Sequence, residues 1–267
     1  MSNSPTVEFE TLPPHRVDWR RAFRAIQIMR VDPNRTDQVF ELNVALDGGD
    51  LERQFQGMLA EPGGADLLRE APVLLARLAD FDQLESLAPD TLGAAYSRIM
   101  RGNGFAADGL RQAEAKIDES AELHPGVART WWAERGGCLH DLFHVVTGYG
   151  QDPAGETALL AFTDGVYGKK FRLRVIRFGL TASIFTAPPT SRLRTLVFSW
   201  QARRRGVRSR IPFSFRWEEA LEQPLSEVRK QLGIAPAKRS HPRGMLEGEM
   251  EAPWSFRPHE VAASSAT

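Results

Sequence analysis

The stretch His140-Asp141-Leu142-Phe143-His144, with Glu156 following after eleven residues, decides how this chain is read. An α-helix turns about 100° per residue, so His140, Asp141 and His144 share an arc of about 100°. Residues four apart on a helix are surface neighbours. Gly148-Tyr149-Gly150 then interrupts the pattern. A second helix start follows, with Asp152 as N-cap, Pro153 at the first helical position and Glu156 in the first turn. A tight helix–turn–helix carries Glu156 back toward the histidine face. Neutral imidazole and carboxylate together suit a divalent metal ion, zinc or iron.

A lone histidine on a helix is most often an ordinary core or surface residue. Here the neighbours argue otherwise. Leu139, Leu142, Phe143, Val145 and Val146 make the rest of this helix apolar, so the spacing predicts a buried element. Burying the titratable groups without a partner costs several kcal/mol. A bound cation removes that cost, and internal ion pairing is the competing solution. Asp141 suits the role of an orienting carboxylate, because metal-bound imidazoles donate their far N–H to an acceptor; it is equally able to bind the metal itself. Cys138, two residues before His140, faces away from the pair and reads as a small buried residue.

The segment Cys138–Phe162 resembles the signature of the coenzyme Q (ubiquinone) biosynthesis protein 4 family, H-D-x-x-H, eleven residues, then E. Other blocks agree in order. Leu87-Ala88-Pro89-Asp90-Thr91-Leu92-Gly93-Ala94-Ala95-Tyr96, with Met100 following, resembles the family's "LP-x-G-T-L-G-x-x-Y". Trp217-Glu218 and Pro224-Leu225-Ser226-Glu227-Val228-Arg229 resemble its closing "W-E…P-L-x-x-V-R". The resemblance covers residues 20–233. Phe143 stands where members often carry Trp, and Asp90 falls at a variable position; neither is a proposed ligand.

Length and composition agree with a soluble folded protein. The 267 residues are 42% apolar and 25% charged, which allows one large domain or two small ones. A single cysteine excludes an internal disulfide. No apolar run reaches the roughly 18 residues of a membrane-spanning helix. Met1–Pro14 lacks both a basic-then-apolar leader and the arginine-rich, acid-poor composition of a mitochondrial one, which points to a cytoplasmic home. Net charge is zero, but residues 35–125 carry 17 acidic and 8 basic side chains, whereas 169–216 carry 13 basic and no acidic ones.

The pattern predicts an all-α, single multi-helix domain over residues 18–233, with the metal site between two adjacent helices. A flexible segment, 1–17, precedes it. A disordered tail, 234–267, follows, where His241 and His259 are not expected to be ligands. Helices are expected from Asp18, from Asp37, around Leu51, Phe55 and Leu59, from Thr91, over 107–122 and over 128–147. Breaks fall at Pro62-Gly63-Gly64 and Ala88-Pro89. Phe171, Leu173 and Val175 alternate with arginines as a strand would, but the resemblance implies helix there.

Leu193, Leu196, Val197 and Trp200 repeat at helical spacing among Arg192, Arg194, Arg203, Arg204 and Arg205. Two readings compete: a core-packing helix with a solvated basic face, or a membrane-surface helix or phosphate-facing gate. No nucleic-acid-binding motif accompanies it, so no nucleic acid is expected.

The resemblance implies more about function. Family members act in ubiquinone synthesis on a polyprenylated aromatic ring, are associated with replacing the C1 carboxyl by hydroxyl, and organise other quinone-biosynthesis proteins at the membrane. Carried over, His140, Asp141, His144 and Glu156 are the metal and catalytic positions, and Tyr149 lies near the turn where substrate would approach. The expected protein is a peripheral enzyme on the inner face of the membrane, self-association being left open. The alternative is a non-catalytic lipid-binding scaffold with a structural metal. A metal hydrolase fits less well, because Asp141 replaces the longer Glu of H-E-x-x-H.

Overall fold

The computed structural model describes residues 9–32, 35, 37–102, 126–151, 153–187, 189 and 192–235. Among them lie thirteen α-helices and no strand, forming a single all-α domain. The expected helix over 107–122, the expected N-cap Asp152, and His241 and His259 fall outside the described residues.

Asp18 opens α1 (Trp19–Val31) by accepting the Arg21 backbone N–H at 3.0 Å. This caps one of the first-turn amides that no intrahelical carbonyl reaches. α2 (Asp37–Leu46) lies against α1, and Ala22, Ala25, Leu42, Ala45 and Leu46 form a small core between them. α3 (Asp50–Leu59) buries Phe55 and Met58. Pro62-Gly63-Gly64 breaks the chain before α4 (Gly64–Glu70), and the short α5 (Leu74–Ala79) and α6 (Phe81–Ser86) follow. α7 (Leu92–Gly102) starts just after Thr91, whose hydroxyl accepts the Ala94 N–H at 3.3 Å. Its stripe of Leu92, Ala95, Tyr96 and Met100 enters the main core.

The longest helix, α8 (Val127–Thr147), is apolar nearly all round from Cys138 onward and is buried there. α9 (Pro153–Tyr167), α10 (Arg174–Thr186) and α11 (Arg192–Arg208) complete the second half, with the short α12 (Trp217–Ala220) and α13 (Leu225–Gln231) closing it.

The closing pair holds α8 near its middle and at its C-terminal end. Arg135 is fully buried and pairs with Glu218 of α12, while its other terminal nitrogen donates to the Phe215 carbonyl at 2.9 Å. Arg229 of α13 donates to the Val146 and Val145 carbonyls at 2.9 and 3.0 Å. Those are among the last-turn acceptors a helix cannot satisfy itself.

The alternating segment at 171–175 is not a strand. Leu173 takes a left-handed turn at φ 49°, and helix runs from Arg174. The Arg174 N–H donates to Asp50 at 2.8 Å, and its guanidinium to the Asp47 and Gly48 carbonyls. This anchor to the start of α3 replaces the ladder a strand would need.

The basic helix does pack on the core, with Phe198 and Ala202 inside, but not by the Leu193, Leu196, Val197 and Trp200 stripe. Leu193 is 73% exposed, Trp200 56%, and Leu196 and Val197 nearly half. The buried face of α11 is instead Thr195, Phe198, Ser199, Ala202 and Gly206. Small residues let α9 approach closely. A Cβ on Gly206 would stand 2.1 Å from the Phe162 carbonyl oxygen, and one on Gly165 2.2 Å from that of Arg203. The bulky stripe cannot occupy so narrow a crossing. Not every arginine of this helix is surface charge, either. Arg205 is buried against the Tyr149 and Phe162 rings, and Arg203 is tied to Asp164 at 2.6 Å.

Candidate metal centre

Two backbone features bring the distant carboxylate to the histidines. Gly148 caps α8 in the left-handed region at φ 77°, where a side chain would be strained. The chain reverses there, and its N–H bonds the His144 carbonyl at 2.8 Å. Gly155 then lies against the loop so tightly that a Cβ would stand 1.8 Å from the Gly150 carbonyl oxygen. The contact places the first turn of α9, and with it Glu156, over the histidine face.

The result is a convergent set of donors. One donor atom from each of His140, His144 and Glu156 lies within 4.8 Å of the others. His144 Nε2 is 3.2 Å from His140 Nε2 and 3.1 Å from Glu156 Oε1. His140 Nε2 is 3.5 Å from the other Glu156 oxygen. His144 is buried, while His140 and Glu156 are half-exposed, so the cluster opens on one side.

The far nitrogen of His144 sets its tautomer. Nδ1–H donates to the Tyr149 carbonyl at 3.1 Å, which leaves the Nε2 lone pair facing the cluster. This is the outer contact that orients metal-binding imidazoles. Two imidazole nitrogens pointing at each other need a proton or a cation between them, and the donor set fits a divalent ion. Burial opposes ionisation of Glu156, but His144 and His140 outweigh it and hold its carboxyl far below the usual range. Burial would also lower His140, and Glu156 more than compensates, raising it.

Asp141 is buried on α8 next to the pair, but it is not one of the three converging groups among the described residues. Burial raises its carboxyl, against the opposing influence of His140 and His144. Cys138 also stays outside the group, and burial together with Asp141 pushes its thiol up to about 12. Tyr149 acts through its backbone. Its ring is fully buried, packed on Phe162 and Phe198, and does not face an open site. Sequence reasoning placed this residue near the turn but missed the carbonyl; the flanking glycines were the available signal.

The chain matches known proteins over most of its length. A family profile described as coenzyme Q (ubiquinone) biosynthesis protein Coq4 matches residues 20–238. The mitochondrial ubiquinone biosynthesis protein coq-4 of Neurospora crassa is 29% identical over 67% of this chain and 48% of its own length. The Nematostella vectensis mitochondrial COQ4 homolog is 25% identical over 78% of this chain and 96% of its own. The match thus spans about half the length of several curated fungal relatives and nearly all of the shorter animal one. A solved chain from Nostoc punctiforme PCC 73102, provisionally linked to ubiquinone biosynthesis, superposes with a TM-score of 0.60. It is 21% identical and covers 82% of this chain and 99% of its own, a likeness of fold.

Proposed function

Because this chain belongs to the coenzyme Q (ubiquinone) biosynthesis protein Coq4 family, we propose that it is a metal-dependent enzyme of that synthesis. The substrate is a polyprenylated aromatic ring with a carboxyl group at C1. The reaction would release that carboxyl as carbon dioxide and put a hydroxyl in its place, a two-electron oxidation with dioxygen as the oxidant and source of the hydroxyl oxygen. The converging donors of His140, His144 and Glu156, with His144 oriented by the Tyr149 carbonyl, carry this reading.

These three residues would hold zinc or iron, with Asp141 as the carboxylate that steadies them. The bound ion would supply Lewis-acid polarisation of a carboxylate or phenolate oxygen. The half-exposed flank at His140 and Glu156 leaves room for a ring to approach. Residues 18–233 are the functional unit, with 1–17 and 234–267 flanking it.

The second reading is a lipid-binding scaffold for other quinone-biosynthesis proteins, and one surface favours it. α10 buries none of its side chains; Phe185 is 69% exposed and lies in chain order just before exposed Leu193, Leu196, Val197 and Trp200. Trp19 and Phe23 of α1 are also largely exposed, resting on Phe178. So large an apolar surface marks a docking face. Arg192, Arg194 and Arg204 stand among these residues, Arg204 over the Trp200 ring, as suits an anionic lipid surface. Either reading makes the protein peripheral to a membrane on its cytoplasmic side. No helix among the described residues is long and apolar enough to cross one.

Mass spectrometry of a carboxylated polyprenyl-phenol, incubated in air with zinc- or iron-loaded protein, separates the two. Loss of carboxyl with gain of hydroxyl, absent in His144→Ala, is the expected result. Unchanged substrate at confirmed metal content overturns the enzyme in favour of the scaffold.

A further inference from the structure

Arg205 of α11 is buried, and both terminal nitrogens of its guanidinium lie inside without an acceptor among the described residues. A buried charge so placed is costly, and an apolar side chain of similar volume would fill the space at less cost. What the guanidinium does there is visible in its contacts. Its Cζ lies 5.1 Å from the centre of the Tyr149 ring and 5.9 Å from that of Phe162, both within the range of cation–π attraction. Nε donates to the Ala235 carbonyl at 2.9 Å, which fixes the guanidinium in place. Burial raises the Tyr149 phenol, and the charge of Arg205 opposes that rise.

Tyr149 is the residue whose carbonyl takes the His144 Nδ1–H at 3.1 Å. It stands between Gly148 and Gly150, and glycine leaves a backbone freer than other residues do. The anchorage of the Tyr149 ring therefore bears on the direction of its carbonyl. Phe198 of α11 and Phe162 of α9 meet that ring edge to face, at centroid distances of 6.1 and 6.3 Å. Phe198 and Arg205 are seven residues apart, about 20° from each other around α11, so one face of that helix grips the ring at two points. Contacts thus run without a gap from Arg205 through Tyr149 to His144.

We propose that Arg205 is a positioning residue for the metal centre: its guanidinium holds the Tyr149 ring and, through it, the carbonyl that orients His144. This deepens the metal reading above and rests on it. Arg205 touches none of the three converging donors, so its effect on the metal passes through Tyr149.

The test compares Arg205→Met, Tyr149→Leu and the double variant. Arg205→Gln stands in reserve should Arg205→Met not fold, and Arg204→Met is the control. Thermal unfolding establishes that each variant is folded. On chelator-treated protein, nuclear magnetic resonance follows exchange of the His144 Nδ1 proton with solvent. Cobalt(II) is then titrated, with its visible absorption bands as readout. Arg205→Met is expected to speed the proton exchange, weaken cobalt affinity about tenfold and shift the bands. Arg204→Met should change none of these, and Arg205→Met should add nothing once Tyr149 is leucine. Wild-type exchange, affinity and bands in folded Arg205→Met protein overturn the proposal, as does an undiminished effect in the Tyr149→Leu background. Wild-type protein that takes up no cobalt overturns the metal reading and the positioning role with it. The proton exchange then still decides whether Arg205 steadies the contact between Tyr149 and His144.

Discussion

The α8–α9 hairpin and the α10–α11 pair treat burial in opposite ways. In the hairpin, apolar residues go inside, and the polar ones that follow them there are oriented by specific contacts. His144 is held by the Tyr149 carbonyl, and Arg135 by Glu218. In the pair, large apolar side chains stay outside, while Arg205 goes in. Buried polar groups and exposed apolar groups both carry a free-energy cost, and a fold retains them where function uses them. The hairpin spends its cost on a rigid donor set, the pair on an outward surface.

The largest expected effect breaks the hairpin. Glu218→Ala leaves the Arg135 charge buried and unpaired, so the fold should lose about 3–5 kcal/mol. Denaturant unfolding measures this; a loss comparable to that of a surface pair would mean α8 is anchored elsewhere. Reversing Arg192, Arg194 and Arg204 to Glu should leave that unfolding curve nearly unchanged. The same triple variant should weaken binding to anionic vesicles by about 1 kcal/mol or more per arginine. Sedimentation with vesicles checks it, and undiminished binding would remove the membrane role of the α10–α11 surface.

The smallest effect probes how the pair is held to α9, where Asp164 meets Arg177 of α10 and Arg203 of α11. Asp164 is opposed by burial, but hydrogen bonds from Arg177 and Arg203 pull its carboxyl below the ordinary 3.8. A depressed folded value means the contribution is complete above 3.8 and is lost as pH falls below it. Asp164→Asn should therefore be less stable than wild type at neutral pH, with the gap narrowing below pH 3.8. A gap independent of pH would assign Asp164 a packing role rather than an electrostatic one.

Much of this was legible in the residues. Helical periodicity identified the elements around Asp18, Leu51, Thr91 and His140, because amphipathic spacing is a local property. The i,i+4 histidines, the glycine-flanked break and the Pro153 start were enough to bring Glu156 back toward the pair. The Phe171–Val175 alternation by itself reads as a strand, because three residues of alternation cannot announce a left-handed turn at Leu173 anchored by Asp50 on another helix.

The sequence alone determined the helical class, the spacing of His140, His144 and Glu156, and the place where α8 must end. Tertiary structure decided which face of α11 turns inward, that Arg205 is interior, and that Asp141 stays outside the three converging donors. The reason is the range of the forces. Periodicity and capping act within a few residues, so the chain carries them in its own order. The inward face of a helix depends on how closely a partner can approach. Here two glycines, Gly165 and Gly206, 41 positions apart in the sequence, set that distance.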